Sequence, residues 1–344
     1  MGIGCCFGGC LIMGLRAINN PKSSFEDPYV STGTEAWAPP SPPPVPYFGD
    51  RGIFFGGNSI HSTSGGRMDY ISYITITSTG NATDFGDLSA DISSTAACAG
   101  GGRGLNMGGY TGSTAVNTIN YITIATTGNS SDFGDLTEAA RSCTGTSNGR
   151  RGLRAGGLVS SETDVIDYVT IATTGNATDF GDMIASYYGP GGVSNGTLAV
   201  LGGGRNGGTR YNTMQYVTFD TLGNATDIGN LTESRFGTAA FSNATRGVWA
   251  GGFTASAYTG TMDYFDIATS GGATDFGDLN LGARVNAGGC ANATRGIIYS
   301  GYTGSDNYIS KIGYITMSTP GNSTTFGDPL PSQGVESPAG CSGD

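Results

Sequence analysis

The 344-residue chain has a single histidine, His61, only two lysines, Lys22 and Lys311, and charged residues at just 12%. Each shortage excludes something. A Ser-His-Asp triad would have to use His61, which lies in a Ser/Gly-rich loop, and zinc or blue-copper sites lack a second imidazole. No CxxC pair supplies zinc thiolates either. Sixteen basic residues against 27 acidic ones leave a net charge of −11 and a pI near 4.4. A nucleic-acid binder needs a basic stripe to displace counterions, and none is visible, so neither nucleic acid nor an anionic membrane surface is an expected partner. The first fourteen residues, MGIGCCFGGCLIMG, are apolar but short of the ~20 that span a bilayer, and a membrane span is not expected. No basic residue leads them and no small-residue cleavage site follows. Ala, Leu, Glu and Lys are not present in the bulk that long helices need.

Glycine is abundant, at 61 positions, and 17 Tyr and 15 Phe join steady Ile/Val runs to supply core material. This composition points to an all-β protein with many tight turns. Seven cysteines divide into Cys5, Cys6 and Cys10 near the N-terminus and four scattered ones, Cys98, Cys143, Cys290 and Cys341. The odd number and wide spacing make no disulfide framework, so the scattered four are expected to be small buried hydrophobes.

Internal repetition decides the fold. Gly-Asn recurs at Gly80, Gly128, Gly175, Gly223 and Gly321, with Gly271-Gly272 as a sixth variant, at steps of 48, 47, 48, 48 and 50 residues. Seven positions earlier stands Tyr73, Tyr121, Tyr168, Tyr216, Tyr264 or Tyr314; five positions later comes Phe85, Phe133, Phe180, Ile228, Phe276 or Phe326. Each unit reads as a short strand ending in Gly-Gly, a loop, an alternating β-branched strand after the tyrosine, a hairpin turn at Gly-Asn, and a short strand around Asp-Phe-Gly-Asp. The segment before the next Arg-Gly adds a fourth strand. Four-stranded units stacked radially cover one another, which is the β-propeller solution.

The order Gly-Gly, Tyr, turn, aromatic, Leu, Arg resembles the kelch repeat over residues 51–344, with Phe133 where kelch usually has Trp and with Leu136 and Arg141 at its Leu and Arg. Arg235 and Arg284 stand near the equivalent place in other copies. The expected fold is an all-β, six-bladed kelch-like propeller over 47–344. Its C-terminal strand, from the segment 334–341, should lie innermost in the first blade and seal the ring. Residues 1–46 belong to no repeat and end in a proline-rich stretch that favours extended polyproline II, so they read as an N-terminal anchoring arm.

No motif reads as an active site, and no cofactor is expected. Galactose oxidase shares the kelch architecture but places two histidines on copper. Asp-Phe-Gly lacks the glycine-rich and catalytic loops of a kinase, so its Phe is expected to pack between blades and its Asp to bond local amides. Asn-Ala-Thr at Asn81, Asn176, Asn224, Asn243 and Asn292 satisfies a glycosylation pattern but reads as turn chemistry. Function should sit where the copies differ: the loops 58–67, 110–117, 158–164, 204–212, 253–261 and 302–308, which a kelch-like propeller gathers on one face. Their binding candidates are His61, Tyr110, Arg205, Arg210, Tyr211, Tyr258, Tyr302 and Tyr308, since Tyr and Arg are favoured at interfaces.

The Gly/Thr/Asn-rich units are similar to repeats in structural proteins of marine tailed bacteriophages, especially those infecting cyanobacteria. The resemblance implies a non-enzymatic virion component, located in the capsid or on a tail appendage. Residues 1–46 would dock onto other virion proteins and the propeller would display a face to a host receptor or glycan. The alternative is a secreted or cell-surface propeller that binds glycan or protein.

Overall fold

Six four-stranded antiparallel sheets follow one another along the chain, each radiating from a common axis. The computed structural model describes residues 49–59, 66–304 and 307–343; the expected arm, residues 1–46, lies outside these, as do His61 and the N-terminal cysteines. Blade two shows the plan: Ala96–Gly100 innermost, then Arg103–Tyr110, Ala115–Thr123 and Ser131–Asp135 outermost. The innermost strands of the other blades are Thr144–Ser147, Gly191–Ser194, Ala239–Ser242, Gly288–Ala291 and Ala339–Gly343. Each touches the next, and the last touches the first, so the array is a closed ring. Among the described residues no helix forms. The second strand of each blade is buried almost throughout, as in Arg151–Ala155, because adjacent blades cover both its faces.

Closure occurs as expected. Ala339–Gly343 pairs antiparallel with Arg51–Phe55, from Arg51↔Gly343 to Phe55↔Ala339, so the last strand of the chain completes the first blade. Cys98, Cys143, Cys290 and Cys341 are free and buried. Burial pushes the Cys98 thiol up to about 12 and that of Cys143 to about 11, which keeps them protonated and unreactive.

The Gly-Asn marker corrects the sequence reading. In blade two seven residues separate Thr123 from Ser131, and the tight turn is earlier, where Thr126 N–H donates to Thr123 C=O at 3.2 Å. Gly128-Asn129 instead docks on the preceding blade. Gly128 N–H donates to Phe85 C=O, Ser130 N–H to Asp87 C=O, and Asp87 N–H donates back to Asn129 Oδ1, at 2.7, 2.8 and 3.0 Å. The clasp recurs around the ring and across the closure, where Gly80 and Ala82 bond Phe326 and Asp328, and Asp328 N–H donates to Asn81 Oδ1. Where Gly272 replaces asparagine the side-chain bond drops out, but the backbone bonds Gly271 to Ile228 and Ala273 to Asn230 remain. The glycine of Asp-Phe-Gly has its reason here: a Cβ on Gly181 would stand 2.5 Å from Gly223 O of the next blade, at a φ of 142°.

The other repeated residues also tie blades together. Phe85, Phe133, Phe180, Phe276 and Phe326 are buried in clusters shared with the next blade, as Phe85 with Ile122 and Ile124. Each is also edge-to-face with its own blade's tyrosine, as Tyr121 and Phe133 at 5.9 Å. The arginine opening the second strand lies over that tyrosine and reaches the next blade: Arg51 to Ile124 C=O at 2.7 Å, Arg103 to Ile171 C=O at 3.0 Å, and Arg295 across the closure to Thr77 C=O at 2.8 Å. A third tie starts at the bulge before each tyrosine. Asn120 Oδ1 accepts from Ser89 Oγ, Gln215 Oε1 from Ile184 N–H, and Asp263 Oδ2 from Thr232 N–H, each donor belonging to the preceding blade.

In blade six Gly313 occupies the bulge and brings no side chain. Ser323 Oγ takes over the tie, accepting from Asn280 N–H of the preceding blade at 3.1 Å, and no carboxylate stands at the bulge. The fully buried Arg235 pairs with Asp263 at 2.8 Å, but its equivalent Arg284, only 1% exposed, bonds just the carbonyls of Gly282 and Ser300 and leaves Nη2 unpaired. Burial pushes the Arg284 guanidinium down to about 10. A Cβ on Gly313 would meet nothing closer than 3.7 Å. Gly313→Asp is therefore expected to supply the missing carboxylate and raise stability by about 1–2 kcal/mol, read from the midpoint of chemical unfolding. An unchanged or lowered midpoint would show that Arg284 needs no counter-charge.

Candidate functional site

The axis opens at one end through a ring the repeat pattern does not announce. Ser94, Ser142, Gly189, Gly237, Asn286 and Ser337 occupy equivalent places before the innermost strands, and all six have φ between 53° and 67°. Their backbones bond in a circle: Ser142 N–H donates to Ser94 C=O, Gly189 to Ser142, Gly237 to Gly189, Asn286 to Gly237, Ser337 to Asn286, and Ser94 back to Ser337 at 3.2 Å. The left-handed conformation is uncommon outside glycine, and the closed circle of bonds holds serine and asparagine in it. Below it the innermost strands approach so closely that a Cβ on Gly289 would sit 2.7 Å from Ala240 O. A cup of about 120 Å³ remains at the mouth, lined by Ser94, Ser142, Asn286 and Ser337 among others.

A wider ring surrounds this cup. The residue preceding each ring member pairs with the residue following a double glycine, or following Ser300-Gly301 in blade six: Ser93 with Tyr110, Arg141 with Leu158, Tyr188 with Arg205, Phe236 with Phe253, Val285 with Tyr302, and Glu336 with Asn58. These bridges bring the starts of the variable loops and the blade-to-blade connections to one face.

Two arginine–aromatic clusters stand there, all of their side chains half-buried. Tyr110 carries two guanidiniums, Arg141 at 4.3 Å and Arg67 at 5.0 Å from the ring centroid. Phe236 carries another two, Arg205 at 5.5 Å and Arg210 at 5.7 Å. From Phe236 an unbroken series of ring contacts runs through Phe253, Tyr258 and Tyr302 to Tyr308, with centroids 4.9–6.0 Å apart. Such cation–ring contacts contribute about 0.5–1 kcal/mol each at partly exposed sites and hold the guanidiniums in place. Two carboxylates sit nearby. Burial pushes Glu336 up, while Asn286 Nδ2 donates to it at 2.9 Å. Gly207 N–H holds Glu162 below its ordinary value, aided by Arg205.

The structure thus brings Tyr110, Arg205, Arg210, Tyr258, Tyr302 and Tyr308 to one face. Tyr211 departs from them: after the short ribbon of Arg205–Asn206 and Thr209–Arg210 the chain turns back, Tyr211 N–H bonds Gly204 C=O, and its ring packs 4.8 Å from the buried Tyr187. Arg141 needs a different correction. The double-glycine N–H groups donate to the carbonyls of Ile92, Ala140, Tyr187, Arg235 and Arg284, so Ala140, not Arg141, shares the place of Arg235 and Arg284, and Arg141 is one position further on. Sequence reasoning missed Arg67, Tyr188, Phe236 and Phe253. Their signal was position, the last three standing directly before a ring glycine or after a double glycine.

Among the described residues no group of three or more His, Cys, Asp or Glu gathers as a metal site. Neither a known family's model nor a curated protein matches the chain.

Proposed function

We propose that the chain is a non-enzymatic structural component of a virion, a kelch-like propeller that presents its loop face for recognition while residues 1–46 dock into the particle. One observation carries the recognition half of this reading. The near-verbatim repeat residues join blade to blade, whereas the non-repeated arginines and aromatics collect on a single face. A rigid ring with a variable face suits display. The virion setting is supported by the likeness of the repeats to those of marine tailed-phage structural proteins and by low charge.

Deleting residues 1–46 is expected to leave a ring that unfolds within a few degrees of the full chain yet no longer enters particles. Incorporation is measured by the protein content of purified particles assembled with the truncated chain. Undiminished incorporation would remove the anchoring role.

A further inference from the structure

We propose that the arginine–aromatic track over blades four to six binds an acidic polysaccharide, a sugar chain bearing carboxylate or sulfate groups. This rests on the recognition role proposed above and names its ligand class. Arg205 and Arg210 stand directly opposite one another on their two-stranded ribbon. Like charges so placed repel, yet both guanidiniums are held against the same Phe236 ring.

None of the ion pairs among the described residues involves either arginine. Their hydrogen bonds go to the ribbon's own carbonyls, Arg205 Nε to Gly207 and Arg210 Nη1 to Gly208, and Arg210 Nε has no acceptor. Two half-buried planar forks, close together and with donors to spare, match a carboxylate or sulfate. Elsewhere the chain's charge of −11 repels a polyanion, so attraction concentrates on this face.

The aromatic series favours a sugar over a peptide. Beyond the arginines come the half-buried rings of Tyr258, Tyr302 and Tyr308, which offer aromatic surface for the C–H faces of sugars. A saccharide chain anchored by its acid group on the arginines can run along these rings.

The test uses the full chain on four immobilised polymers: alginate, dextran sulfate, uncharged dextran and poly-L-glutamate. Alginate or dextran sulfate, or both, should be retained and dextran should not; which of the two binds identifies the acid as uronate or sulfate. The double variant Arg205→Gln/Arg210→Gln should weaken retention at least tenfold, and Arg205→Lys/Arg210→Lys, which keeps charge without the fork, should weaken it by less. Tyr258→Ala should weaken polysaccharide binding several-fold. Melting curves confirm that each variant keeps the ring. Equal retention of dextran, binding indifferent to these substitutions, or poly-L-glutamate held as tightly as the polysaccharides would overturn the proposal. So would retention of none of the four; the anchoring role is decided separately, by incorporation of the truncated chain.

Discussion

A chain ending at residue 334 is expected to lose its cooperative fold. The removed segment contains Ala339–Gly343, the innermost strand of blade one, and Ser337, a member of the circular backbone network. Without it Ile53, Phe54 and Phe55, each at most 2% exposed, lose a covering strand, and Ala339 and Cys341 leave their core cluster. Uncovering each large apolar side chain costs about 1.5–3 kcal/mol, and an edge is opened on both sides of the gap. A domain is stable by only ~5–15 kcal/mol, so the sum reaches the whole of it. Near-ultraviolet circular dichroism and urea unfolding read the outcome. A truncated chain with a sharp transition close to that of the full protein would mean that closure contributes little.

The second large effect concerns the clasp. Gly181→Ala is expected to destabilise by about 2–4 kcal/mol, because the new methyl group would lie 2.5 Å from Gly223 O at a φ of 142°. Relief requires moving the next blade's loop and weakens Gly223 N–H to Phe180 C=O, Ala225 N–H to Asp182 C=O and Asp182 N–H to Asn224 Oδ1. Gly80→Ala is the matched comparison. Nothing lies within 4 Å of its would-be Cβ and its backbone is not left-handed, so it should change stability by under about 0.5 kcal/mol. Unfolding midpoints of the two variants decide the matter; equal effects would show that the glycine of Asp-Phe-Gly is not required by blade contact.

The architecture was legible because repetition reports a stacking unit and an incomplete first copy reports how the ring closes. The Gly-Asn misreading has a physical origin. That dipeptide signals a two-residue hairpin when strands flank it, and a single sequence does not show that its hydrogen-bond partners belong to the preceding blade. The circular network escaped for another reason: Ser94, Ser142, Gly189, Gly237, Asn286 and Ser337 share a backbone conformation but no single residue type. On the loop face, Tyr258 and Tyr302 were found from residue type and loop variability. Tyr211 shares both properties but is turned inward by the ribbon ahead of it, and Phe236 falls in a connection between blades rather than in a loop after a double glycine.

Amide hydrogen exchange tests the closed ring most directly. If the ends of the chain are sealed by the same bonds that join every other pair of blades, the Ser94, Gly80 and Ala82 amides, which bond across the seam, exchange as slowly as Ser142, Gly128 and Ser130 within the array. Rapid exchange confined to the three seam amides, with protection elsewhere, would contradict a sealed propeller.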